Sequence, residues 1–148
     1  MQQSGFVLVA LGFFAAVTLA QDAASDLKKM EGKWKAVVHE ADGKPTPKEE
    51  TDKVDTTLVV KDGKYEIYFA GKFADRGTIK LDPTKKPKQI DVTGEEGTDK
   101  GKTMKGIYEI DADHMQVCFA QAGSERPTEF KTKEGTFQVL LKYTRIKK

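Results

Sequence analysis

The chain has 148 residues and a mass of 16.4 kDa, room for one domain and a short appendage rather than two domains. Its 25 Lys and Arg against 23 Asp and Glu leave a formal net charge of +2, without the single-sign field of a dedicated nucleic-acid binder. One Cys and no Asn exclude an internal disulfide, a Cys-based zinc site and N-glycosylation.

Residues 1–20 carry no charged side chain, and Phe6 to Ala20 forms an apolar run that ends Thr18-Leu19-Ala20 before Gln21. Small residues at the third and first positions before a cut suit a signal peptidase, so residues 1–20 are predicted to be a signal peptide cleaved between Ala20 and Gln21. The run is shorter than the roughly 20 residues of a membrane span. The expected product is exported, to the periplasm or the extracellular space, with no stable membrane insertion after cleavage. Residues 21–32 then form a short helix and linker, and 33–148 the folded domain. Without the leader about one-third of the chain is apolar, which is lean and suits a small all-β core better than a helical bundle.

Ser25 to Gly32 reads as the helix, with Ser25 as N-cap, Leu27 and Met30 on one face and Gly32 as the stop. Trp34 to Glu40 reads as the first strand, ended by Asp42-Gly43. Lys44 to Lys53 holds two Pro and many charges and reads as a solvated loop. Thr56–Val60 and Lys64–Phe69 flank Lys61-Asp62-Gly63, a tight-hairpin signature. Further strands follow at Arg76–Leu81, Lys88–Thr93, Thr103–Ile110 and Met115–Phe119. A long connection, 121–135, precedes a last strand in which Phe137, Val139, Leu141 and Tyr143 alternate. Eight short strands, each with one polar face and no helix between them, predict an antiparallel meander. Closing it removes the exposed edges, so the expected fold is all-β, an eight-stranded antiparallel barrel behind a short N-terminal helix.

Chemical motifs are sparse. Gly97 to Thr103 has the wrong spacing and the wrong flanking element for a phosphate loop and reads as a charged hairpin loop. Asp111, Asp113 and His114 read as a turn rather than a metal site, and His39 as a solvent-facing side chain. Lys85, Lys86 and Lys88 read as a solvated cluster. Cys118 falls on the face opposite Met115, Val117 and Phe119 and is expected to be a buried structural thiol. No catalytic constellation, metal site or cofactor motif is recognisable, so the chain is not expected to be an enzyme.

Gly32-Lys33-Trp34, opening the first strand after a short helix, resembles the lipocalin entry motif. That resemblance implies that Trp34 plugs the closed end of the barrel, with Arg145 stacked across it and Gly32 beside it. At closer range the chain resembles a family of small exported, lipocalin-like domains of unknown function expanded in planctomycete bacteria. The matching segments are Asp26-Leu27-x-x-Met30-x-Gly32-x-Trp34, Asp42-Gly43-Lys44, Gly77-Thr78-x-x-Leu81-Asp82-Pro83-Thr84-Lys85-Lys86-Pro87-Lys88-x-Ile90-Asp91, Gly101-Lys102-Thr103-x-x-Gly106-Ile107-Tyr108-Glu109, the strand that carries Cys118, and Arg126-Pro127-x-x-Phe130. They spread over residues 26 to 147 and imply fold and export but no transferable activity.

Two functions fit a small exported barrel. In one, the open end takes a small apolar or amphipathic molecule, lined by the in-phase residues Tyr65, Ile67, Phe69, Tyr108, Ile110, Val117 and Phe119. In the other, the same residues fill the barrel and the protein is a structural or protein-interaction domain at the cell surface or in the periplasm; in either case a monomer is expected. A connected apolar cavity above about 300 Å³ favours the first. No nucleic-acid partner is expected.

Overall fold

A computed structural model describes residues 14–148, with side-chain detail from Ala20 onward. Most of the expected leader therefore lies outside the described residues. The first helix, α1, runs Phe14–Met30 and passes through the expected Ala20/Gln21 junction. It is longer than the predicted one, and Ser25 lies inside it rather than at its N-cap. The stretch from Ala15 to Ala24 holds five Ala and neither Gly nor Pro, so nothing in it interrupts a helix. Among the described residues no helix is long and apolar enough to cross a membrane.

The strands are β1 (Gly32–Ala41), β2 (Lys44–Pro45), β3 (Thr56–Lys61), β4 (Lys64–Phe69), β5 (Lys72–Asp82), β6 (Lys88–Gly97), β7 (Thr103–Ile110), β8 (His114–Phe119) and β9 (Val139–Arg145). Strands β3 to β9 follow one another as an antiparallel meander, and β1 pairs with both β3 and β9. The result is a closed eight-stranded antiparallel barrel, with β2 as a two-residue addition to β1. Closure leaves no long open edge to template aggregation.

The predicted solvated loop 44–53 is corrected: it contains β2 and a second helix, α2 (Lys48–Val54). Pro47 occupies the N-cap, where a missing N–H costs nothing, and Glu49 and Glu50 sit in the first turn. The charges lie at helical spacing, with Lys48–Asp52 at 2.5 Å and Lys53–Glu49 at 3.0 Å. Two strands exceed prediction by four residues or more: β5 begins four residues earlier and β6 runs into the charged stretch 95–97. The last strand begins later than expected, at Val139. Phe137 stands outside it, in the left-handed region at φ 53° and 65% exposed.

Inward-facing residues of all the barrel strands make the main core, among them Trp34, Leu58, Val60, Ile90, Val92 and Val117. A second, smaller core lies on the outer face. Ile107, Cys118 and Leu140 point out of β7, β8 and β9 and are covered by Phe130 from the β8–β9 connection. Arg126 pins that connection: Nη1 donates to the carbonyls of Ile90 (3.1 Å) and Gly106 (2.7 Å), and Nη2 pairs with Asp91 at 2.7 Å. At its far end, Thr132 donates to Glu40 Oε1 (2.6 Å) and accepts from the Gly43 N–H (2.8 Å). The Arg-Pro-x-x-Phe segment thus fastens a long strap over an otherwise exposed apolar strip.

Candidate ligand cavity

The closed end of the barrel is built around Trp34. Its indole is fully buried, its Nε1 donates to the Met30 carbonyl at 2.8 Å, and the Arg145 guanidinium lies 4.1 Å from its ring centroid. Arg145 also donates to the carbonyls of Lys29 (2.6 Å), Glu31 (2.7 Å) and Ala112 (2.7 Å). The last carbonyls of a helix have no partners of their own, so one side chain both stacks on the plug and satisfies the end of α1. Gly32, at φ 122°, lies under this arginine, and a Cβ there would come within 2.9 Å of Arg145 Nη1. The structure thus brings Gly32, Trp34 and Arg145 together.

A second anchor at this end has no counterpart in the sequence analysis. Asp26 on α1 is 3% exposed and accepts from Tyr108 Oη (2.7 Å), Lys88 Nζ (2.8 Å) and Lys29 Nζ (3.4 Å). Burial raises its pKa, but the three donors outweigh burial and hold the carboxyl below its usual value of 3.8. Lys88 is therefore not part of a freely solvated cluster as expected. Tyr108 is a post under α1, buried in the main core but not part of the cavity wall.

Above Met30 the barrel is hollow. The cavity has a volume of about 530 Å³ and runs from Met30 at the base to Phe137 at the mouth. Of the seven residues predicted to line it, Tyr65, Ile67, Val117 and Phe119 do. Tyr108 and Ile110 instead border a more open groove at the closed end. Phe69 is 47% exposed because it is the last residue of β4, opposite Thr56 at the start of β3, where the barrel wall ends.

A polar corner interrupts the apolar wall. Tyr65 is 4% and Asp75 6% exposed, both line the cavity, and neither Tyr65 Oη nor Asp75 Oδ1 has a well-formed hydrogen bond. Glycines make the space. A Cβ on Gly77 would come within 2.8 Å of Tyr65 Oη, and one on Gly97 within 2.9 Å of Asp75 Oδ1. The β6–β7 connection folds back onto Gly94, whose N–H donates to the Lys102 carbonyl (3.0 Å) and whose carbonyl accepts from the Gly101 N–H (2.9 Å). A side chain at Gly94 would strike the Asp99 carbonyl at 2.1 Å. That fold-back brings Asp99 and Lys102 to the cavity, 3.9 Å apart. Burial, then the charge of Asp99, push the Asp75 carboxyl above its usual value. Burial and the carboxylates of Asp75 and Asp99 push the Tyr65 phenol up, so it stays a neutral hydroxyl. Buried groups of this kind take their partners from water or from a bound molecule.

Asp75 was legible in part. Leu81, Ile79 and Gly77 share the inward face, and one further step of two reaches Asp75, but the predicted strand stopped at Arg76. Asp99 and Lys102 had no signal, because only the fold-back turns that loop inward.

Other singled-out residues are structural. The Asp111–His114 turn closes through Asp111 Oδ1, which accepts from the N–H groups of Asp113 (2.9 Å) and His114 (2.8 Å). His39 is half-buried rather than solvent-facing, with Nδ1 2.7 Å from Thr46 Oγ1. Cys118 is fully buried, with Sγ 3.8 Å from the Lys131 carbonyl; burial is the main cause of its raised pKa. Among the described residues no three His, Cys, Asp or Glu are grouped to hold a metal ion. No protein-family model, curated protein or solved structure matches this chain.

Proposed function

We propose that this protein is an exported, lipocalin-like carrier or receptor that holds one small amphipathic molecule inside its barrel. The observation that carries this reading is the cavity of about 530 Å³, apolar along its strands and polar at Tyr65 and Asp75. Its size falls within the roughly 300–1,000 Å³ of small-molecule pockets, which combine apolar walls with a few convergent polar groups. A filled scaffold would have no use for a buried carboxylate oxygen and phenol hydroxyl without well-formed hydrogen bonds, since each costs stability. The competing scaffold reading loses weight on the same ground.

Native mass spectrometry of protein purified from its own host tests the reading. A non-covalent adduct of small-molecule mass, reduced in the Val139→Trp variant that narrows the mouth, is the expected result. Adduct-free protein that also fails to bind apolar probes would overturn it. Export is tested separately by N-terminal sequencing of material outside the cytoplasm, which should begin at Gln21.

A further inference from the structure

The polar corner carries a sign of charge. Asp75 and Tyr65 are both more than nine-tenths buried, line the cavity and leave Asp75 Oδ1 and Tyr65 Oη without a well-formed hydrogen bond. Asp99 adds a second carboxylate at the mouth, its side chain 31% exposed. Lys102, the cation beside them, is 54% exposed and is engaged with Asp99 at the long distance of 3.9 Å. Glu95 on β6 adds to the negative potential at Tyr65, though Lys64 faces it at 3.8 Å. The inner part of the corner therefore has an excess of acceptors and of negative charge.

We propose that the ligand is an amphipathic amine, with its ammonium group between Asp75, Tyr65 and Asp99 and its apolar part along the strand-lined wall. This inference rests on the ligand-binding reading above and narrows it to one chemical class. An ammonium brings three donors and no acceptor, matching an ionised carboxylate that has only acceptors to offer. It also brings the opposite charge, which a buried carboxylate needs to remain ionised. A fatty acid would place a third carboxylate in the same corner. A neutral alcohol would offer one donor and no charge. The apolar lining from Val92, Met104 and Val117 accommodates a hydrocarbon portion.

Binding is linked to protons. Burial and Asp99 favour the protonated form of Asp75 in the empty protein, and an ammonium favours the ionised form. Amine affinity therefore rises with pH as Asp75 gives up its proton, while an ordinary alkylamine keeps its charge up to about pH 10.

The test compares three probes of equal chain length, n-decylamine, n-decanol and n-decanoate. Each displaces the neutral fluorophore N-phenyl-1-naphthylamine from purified wild-type protein at pH 7.5. Decylamine is expected to bind about ten-fold or more tightly than decanol, as one charge-assisted hydrogen bond implies. Asp75→Asn should remove that preference, bringing decylamine and decanol to within about two-fold of each other. Asp99→Asn, at a more exposed position, should weaken it by a smaller factor and serves as a second probe if Asp75→Asn misfolds. Equal binding of the three probes, tightest binding of decanoate, or an amine preference that survives both substitutions would overturn the amine inference and leave the cavity reading intact. Failure of the fluorophore and all three probes to bind the folded protein would overturn both.

Discussion

Replacing Asp75 with Asn should stabilise the empty protein, by an amount that grows with pH. The carboxyl is 6% exposed, its Oδ1 has no well-formed hydrogen bond, and burial and Asp99 hold its pKa above 3.8. A carboxylic acid with a raised folded pKa binds more protons in the native than in the unfolded state between the two values. Stability therefore falls as pH rises through that window. Asn keeps the shape and one carbonyl acceptor but never ionises. Below about pH 3.8, where Asp is protonated in both states, the variants should differ little. Above the raised value the gain should level off at about 1–2 kcal/mol, the lower part of the cost of an unsatisfied buried polar group. For a domain of this size that corresponds to about 3–8 °C in Tm. Thermal unfolding of both proteins from pH 3.5 to 8 measures it. A destabilised Asp75→Asn protein, or a difference that does not change with pH, would show that Asp75 is satisfied in the folded state.

Three further outcomes follow from the closed end and the strap. Trp34→Ala should lose about 3–5 kcal/mol in denaturant unfolding and Arg145→Ala about 1–3 kcal/mol. The double variant should lose less than the sum, because the two side chains touch; strict additivity would contradict the stacking. Asp26→Ala should cost about 2–3 kcal/mol at pH 7, by leaving the Tyr108 hydroxyl unpaired and Lys88 without its carboxylate. Because the Asp26 carboxyl is held below 3.8, its contribution should be present above that pH and fade as pH falls through the folded value. A loss that stayed constant down to pH 2 would refute the assignment. Cys118 should react slowly with an alkylating reagent in native buffer and fast in denaturant, since strap residues cover it. Rapid native labelling would mean that the strap opens readily.

The barrel was legible because period-two alternation in β3, β4, β7 and β8 is clean and Lys61-Asp62-Gly63 marks its hairpin. Glycine at 32 followed by Trp34 also located the plug, since little else explains a lone tryptophan at the start of a strand. The shortfalls have separate physical causes. In the 44–53 segment Pro and charge density masked helical spacing, because Pro at an N-cap looks like Pro in a loop. At Phe137 alternation began in the sequence before the strand did, and Phe69, the last residue of β4, lies at the rim rather than on the cavity wall. For Asp26, a charge on a short helix reads as solvated until the barrel brings Tyr108 and Lys88 against it. The cavity itself had no signature: Val117 and Phe119 have the same pattern whether they meet across the interior or leave a gap. The gap depends on volumes summed around the whole barrel, and on the β5–β6 register that sets Gly77 opposite Gly94 and Gly97 opposite Asp75.

The central claim, that the interior is hollow and binds, is tested most directly by fluorescence titration of N-phenyl-1-naphthylamine, excited above the tryptophan band, into wild-type protein and a Val117→Trp variant. Val117 lies on the cavity wall and is 4% exposed, so an indole there occupies the space the probe needs. Saturable one-to-one binding by the wild type, lost in a variant that still unfolds cooperatively, is the predicted result. Equal binding by both proteins, or no saturable binding by the folded wild type, would contradict it.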